Sequence, residues 1–174
     1  MKKFSMEFKS VQDVYKTQFV HYGSDTFNPK KINKMYMQTD IFNTKPQCNI
    51  GLWSSPAKTD EWRHWCEAEN FRTKDLEKCF KFNVCSDAKI LMAFNQDGVF
   101  SEKFKKYLFN EEDGEYKRPD WEKIFEDFDG FLYDQSYILR PDVHNNMEAW
   151  YIFGTFDVTT LIVFNPSIVL VNKY

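Results

Sequence analysis

Three short stretches of this chain carry residues able to do chemistry. The first is Val20-His21-Tyr22-Gly23-Ser24-Asp25, where a histidine closes an apolar run and a glycine turn follows at once. A histidine so placed can aim its ring into a cleft, and Gly23 lets a ligand or another backbone come close. The second is Gly51-Leu52-Trp53-Ser54-Ser55, leading towards Trp62 and Trp65. Its two hydroxyls can hold an amide or a ribose, and an aromatic one helical turn in, Trp62, can stack on a flat ring. The plainer alternative is that Ser55 caps a helix while the tryptophans fill the core, and Trp65 fits that alternative better. In the third, Asn145-Asn146-Met147-Glu148-Ala149-Trp150, a carboxylate stands where a polar loop gives way to an apolar run. A charge on the inward side of a strand costs free energy unless it is paired or used. An edge glutamate facing water is the competing reading.

Other chemistries lack their signatures. There is no GxSxG elbow, no cysteine in a catalytic context, no Walker lysine and no GxGxxG fingerprint. Cys48, Cys66, Cys79 and Cys85 form no CxxC pair, and His21, His64 and His144 share no ligand spacing with them. No metal site is expected, and the thiols are expected free in a reducing compartment.

The elements that must position these residues follow from period and punctuation. Gln18–Tyr22 reads as a strand, and Thr26–Asn49 as a long loop broken by Pro29 and Pro46. Ile50–Ser55 is a strand stopped by Pro56; a helix of roughly Thr59–Phe71 follows, with Trp62, Trp65, Cys66 and Ala68 along one face. Cys79–Val84 alternates as a strand and Ala88–Phe94 continues as a second. Ser101 caps a helix carrying Phe104, Tyr107 and Leu108, and Asn110–Pro119 is an acidic loop. Trp121, Ile124, Phe125 and Phe128 sit at i, i+3, i+4 and i+7 of a further helix, which Asp129-Gly130 is expected to end in a left-handed cap. Phe131–Tyr133, Ala149–Phe153, Leu161–Phe164 and Ile168–Val171 read as strands. Helices scattered among short strands, without βαβ alternation, imply an α+β fold: a twisted, mostly antiparallel split sheet with flanking helices.

Composition sets outer bounds. The chain has 174 residues, a length suited to one domain spanning 1–174. Its 18 Phe, 9 Tyr and 5 Trp supply ample core and also stacking surface. With 23 basic and 26 acidic residues the net charge is -3, so it lacks the basic excess of a dedicated nucleic-acid binder. The N-terminal lysines and Lys30, Lys31 and Lys34 read as solvated charges. No apolar stretch is long enough to span a bilayer and no apolar leader follows Met1, so a cytoplasmic location and no membrane partner are expected.

Taken in order, the three stretches resemble the three motifs of the ADP-ribosyltransferases. "VHYGSD" is similar to the family's first strand, an aromatic residue, His and Gly. "GLWSSP" with its Trp-bearing helix resembles the second motif, and "MEAWYIFG" the third, where a catalytic glutamate opens a strand. "FKFNVCSDAKIL" and "FDGFLYD" resemble the intervening strands of small bacterial and phage members, so the likeness runs from about Phe19 to Val171. It implies cleavage of the nicotinamide–ribose bond of NAD+, consumed as substrate, and transfer of ADP-ribose to a protein or nucleic-acid acceptor, as a toxin or phage effector would do. Glu148 would stabilise the oxocarbenium-like ribose electrostatically. His21 would bond a ribose hydroxyl, with Tyr22, Gly23 and Ser24 beside it. Trp53 or Trp62 would stack on nicotinamide, and Ser54 and Ser55 would orient the ribose or the glutamate. The sequence departs from the family where Asn146 occupies the place of the Glu or Gln that marks arginine-modifying members. The resemblance leaves two alternatives open: a catalytically inactive binding or inhibitor protein of this fold, and an NAD+ glycohydrolase.

Overall fold

The computed structural model describes residues 6–32, 50–110, 117–140 and 147–171. Most of the long loop predicted over Thr26–Asn49, the centre of the acidic loop, the Asn145-Asn146 stretch, Cys48, Lys34 and His144 lie outside these residues. Short strands alternate with short helices: α1 (Val11–Lys16), β1 (Phe19–Tyr22), β2 (Leu52–Pro56), α2 (Glu61–Ala68), β3 (Cys79–Val84), β4 (Ile90–Met92), α3 (Glu102–Lys105), β5 (Leu108–Asn110), β6 (Lys117–Pro119), α4 (Trp121–Asp127), β7 (Gly130–Tyr133), α5 (Gln135–Ile138), α6 (Met147–Phe153), β8 (Thr160–Val163) and β9 (Val169–Val171). The fold is α+β, as expected. Seven strands form one sheet in the order β4-β7-β8-β2-β1-β3-β9, and β5 and β6 make a separate hairpin. Neighbours in the large sheet are antiparallel except β4 and β7, which run parallel.

Side-chain alternation along the central strands divides the apolar residues into two cores. Leu91, Phe131, Tyr133 and Ile162 point to one face, where Phe104, Trp121, Ile124, Ala149 and Phe153 of the helices cover them. Phe19, Leu52, Phe80, Phe82, Leu132, Leu161 and Val163 point to the other, where Phe8 and Val14 of the N-terminal region close over them. The first core is densely aromatic, with the Phe153 ring centroid 5.0–6.1 Å from those of Phe94, Phe100, Phe104, Phe131, Tyr133 and Phe156. Each such ring stabilises the fold by roughly 1.5–3 kcal/mol through burial.

Several local expectations are corrected. Met147–Phe153 is the helix α6, although its aromatic and β-branched residues read as a strand. Ala149, Ile152 and Phe153 are buried, and Met147 and Trp150 are exposed, which is a helical spacing. Ser55 and Pro56 belong to β2, and the residue before α2 is Asp60, held at φ 50 without a side-chain cap bond. Gly130 opens β7 with no positive φ, because α4 already ends at Phe128 in extended backbone. What Gly130 provides is space: a Cβ there would lie 2.9 Å from the Ile162 carbonyl oxygen and 3.0 Å from Ile90 Cδ1.

Candidate functional site

The functional candidates sort by the face each strand residue presents. His21 lies two positions beyond Phe19 and directly across from Phe80, so its ring points to the Phe19–Phe82 face. The ring centroids of His21 and Phe80 are 5.3 Å apart. Here the ends of β1 and β2 and the chain segment after β1 enclose a cleft of about 400 Å³. His21, Ser24, Thr26, Phe27, Asn28, Lys31, Ile32, Gly51, Leu52 and Phe80 line it.

The protonation of His21 follows from its bonds. Nδ1 is 2.7 Å from the Trp53 carbonyl oxygen, which only accepts, so Nδ1 carries the proton and Nε2 keeps its lone pair. Burial lowers the imidazole pKa, the Arg72 charge adds to the lowering, and the carbonyl bond opposes it in part. At neutral pH the ring is therefore an uncharged acceptor. Gly23 turns the chain at φ +97, a conformation that residues with side chains resist, and its N–H donates to the carbonyls of Asp75 and Lys78. Ser24 Oγ donates to the Thr26 carbonyl, and Asn28 Oδ1 accepts from Lys30 N, starting the short turn Pro29–Lys31. Gly51, at φ +73, has no room for a side chain: a Cβ would sit 2.6 Å from Ile162 Cγ2.

The remaining expected site residues go elsewhere. Tyr22, on the opposite face from His21, donates to Asp60 Oδ1 at 2.5 Å and accepts from Arg63 Nε at 3.2 Å. Burial and the Asp60 bond push its pKa up, so the phenol stays protonated and ties β1 to α2. Trp53 turns into the first core, stacked on Phe156 at 5.8 Å, with Nε1 donating to the Ile50 carbonyl. Ser54 is buried and its hydroxyl is spent on the Leu161 carbonyl. Ser55 is buried on the other face, and its Oγ has no partner among the described residues. Trp62 stacks on Trp65 at 5.2 Å, and both meet Phe71 outside either core, so Trp65 is half-buried in a separate aromatic cluster. None of these tryptophans faces the His21 ring; the aromatic surfaces there are Phe80 and Phe27, themselves 5.8 Å apart.

Glu148 stands in the first turn of α6, half-buried. That helix packs Ala149, Ile152 and Phe153 into the first core, across the sheet from the His21 cleft. The structure therefore does not bring Glu148 and His21 into one pocket. The described residues lining the cleft include no carboxylate, and their one formal cation is Lys31. Sequence reasoning missed Phe27, Asn28, Lys31 and Phe80 as cleft residues. Asn28-Pro29 announces a capped turn, and Phe80 falls opposite His21 once the strands are paired, but neither signal places a wall without the register. Among the described residues no group of His, Cys, Asp and Glu is arranged to hold a metal, and no helix is long and apolar enough to cross a membrane. Compared with protein-family models, with curated proteins and with solved structures, the chain matches none.

Proposed function

We propose that this protein is a ligand-binding module whose His21 cleft takes a planar, polar molecule carrying an anionic group, and that it binds this molecule without breaking it down. The observation that carries the reading is the make-up of the cleft: one uncharged imidazole acceptor, hydroxyl and amide groups from Ser24, Thr26 and Asn28, one cation at Lys31, and two phenylalanine rings. Aromatic surface suits a flat ring, the lysine suits a phosphate, and a cavity of this size suits a mononucleotide or half of a dinucleotide. The sequence resemblance makes NAD+ and its fragments the first ligands to try. Cleaving the nicotinamide–ribose bond calls for a carboxylate near the developing ribose cation, and the described residues that line the cleft include none.

The test is calorimetric titration with NAD+, ADP-ribose, AMP and nicotinamide, alongside chromatographic assay of nicotinamide release. We expect at least one of these ligands to bind, affinity to fall about tenfold or more in His21→Ala and Lys31→Ala, and no nicotinamide to appear. Binding by neither NAD+ nor its fragments defeats the reading. Release of nicotinamide that Glu148→Gln abolishes replaces it: labelled ADP-ribose on a protein or nucleic acid would then establish the transferase, and free ADP-ribose the glycohydrolase.

A further inference from the structure

A larger groove, of about 760 Å³, runs along the outer edge of β4, far from the His21 cleft in strand order. Ile90–Met92 pairs in parallel with Gly130–Leu132, and the bonds on that side fall to alternate residues: Asp129 N donates to the Lys89 carbonyl and Ala93 N donates to the Leu132 carbonyl. By alternation, the backbone groups of Ala88, Ile90 and Met92 that lie between them turn outward. Two of these are capped by hydroxyls. Tyr15 Oη donates to the Ala88 carbonyl at 2.6 Å and Ser101 Oγ donates to the Met92 carbonyl at 2.7 Å. By the same alternation the N–H and C=O of Ile90 and the N–H of Met92 turn towards the groove, and among the described residues nothing outside the sheet bonds them. A neighbouring strand makes this kind of contact, two closely spaced bonds at one residue and a third two residues on.

We propose that the open edge of β4 is a docking site for an extended acidic segment of a partner protein, which joins the seven-stranded sheet as an added strand. The chemistry of the rim selects the occupant. Lys9, Lys89 and Lys103 line the groove and are exposed, against the single carboxylate of Asp97. Those lysines repel the same lysines of a second copy, which is how natural sheets deter edge-to-edge pairing, but they attract aspartate and glutamate. Val11, Met92 and Phe128 give the groove apolar surface for alternate side chains of the incoming strand, while main-chain bonds hold it.

The experiment selects peptides from a displayed library of random decapeptides on the intact protein and measures the enriched sequences by fluorescence polarisation. Acidic, extended sequences should be enriched. Their affinity should drop about tenfold or more on the Lys9→Glu, Lys89→Glu, Lys103→Glu triple variant, whose changes are all on exposed side chains. It should drop similarly when the peptide's central amides are N-methylated, a change that leaves the protein untouched. Labelled-amide NMR should place the perturbed signals at Ile90 and Met92. The proposal is overturned if no acidic sequence is enriched, or if enriched peptides are indifferent to both changes or perturb other residues. It is equally overturned if binding appears only after residues 1–5 are removed, which assigns the groove to the chain's own N-terminus. A concentration-dependent dimer abolished by the triple variant overturns it too, in favour of a second copy.

Discussion

His21 and Asp134 are half-buried and buried titratable groups whose surroundings push stability in opposite directions with pH. Asp134 accepts from Phe8 N at 2.7 Å and Ser136 N at 2.9 Å, yet burial outweighs these bonds and raises its carboxyl to about 6, with the Glu61 charge adding to the rise. A folded-state pKa above the unfolded value means that the folded protein holds the proton more tightly. Stability from this group is therefore complete below about 4 and is lost as the pH rises through about 6. His21 runs the other way: its pKa is lowered on folding, so its contribution is present above about 6.5 and is lost on acidification below that. Asn at position 134 keeps one amide acceptor and gives up the charge. Urea titrations of Asp134→Asn and the parent between pH 4 and 7.5 should show the parent losing on the order of 2–3 kcal/mol relative to the variant as pH rises. A constant difference across that range would mean that the carboxyl is not destabilised by burial.

At the level of elements, the strands hold together because their backbones can approach at two glycines. Gly51 meets two conditions at once, a left-handed φ of +73 and no space, since a Cβ would lie 2.6 Å from Ile162 Cγ2 and 2.9 Å from the Val163 carbonyl oxygen. Gly130 meets only the second, against the Ile162 carbonyl. Gly51→Ala should therefore cost about 2–4 kcal/mol, from strain and overpacking together, and Gly130→Ala about 1–3 kcal/mol from overpacking alone. Thermal melts should show drops on the order of 10 °C and 5 °C respectively. Equal drops would remove the backbone-strain part of the argument. Helix α6 illustrates how packing overrides local preference: Trp150, Tyr151, Ile152 and Phe153 are good strand residues, but only a helix sets Ala149, Ile152 and Phe153 together against Phe131 and Tyr133.

At the scale of the whole molecule, the sheet separates two groups that the family resemblance implied would share a site. His21 and Lys31 belong to one face, and α6 with Glu148 to the other. Side chains divided by a sheet and its core share no partners, so their effects should add. A cycle of His21→Ala, Glu148→Gln and the double variant, read by urea denaturation and by ligand affinity, should give coupling below about 0.5 kcal/mol in both measurements. Coupling of 1 kcal/mol or more, on the scale of directly interacting residues, would put the two in one site after all.

Much of the architecture was legible because it depends on local pattern. The alternation in Cys79–Val84 marked β3, the i, i+3, i+4 spacing of Trp121, Ile124 and Phe125 marked α4, and the scatter of helices among short strands marked an α+β fold. His21 at a strand end beside a glycine turn was also visible, since it needs only its neighbours in the chain. The partners of that histidine were not. Which ring stands over it, which cation shares its cleft and whether Glu148 reaches it depend on strand register and on which face a residue presents, and a shift of one position reverses the face. Only tertiary packing sets those two quantities, so it was the fold that surrounded His21 with Phe27, Phe80 and Lys31 and carried Glu148 to the other side of the sheet.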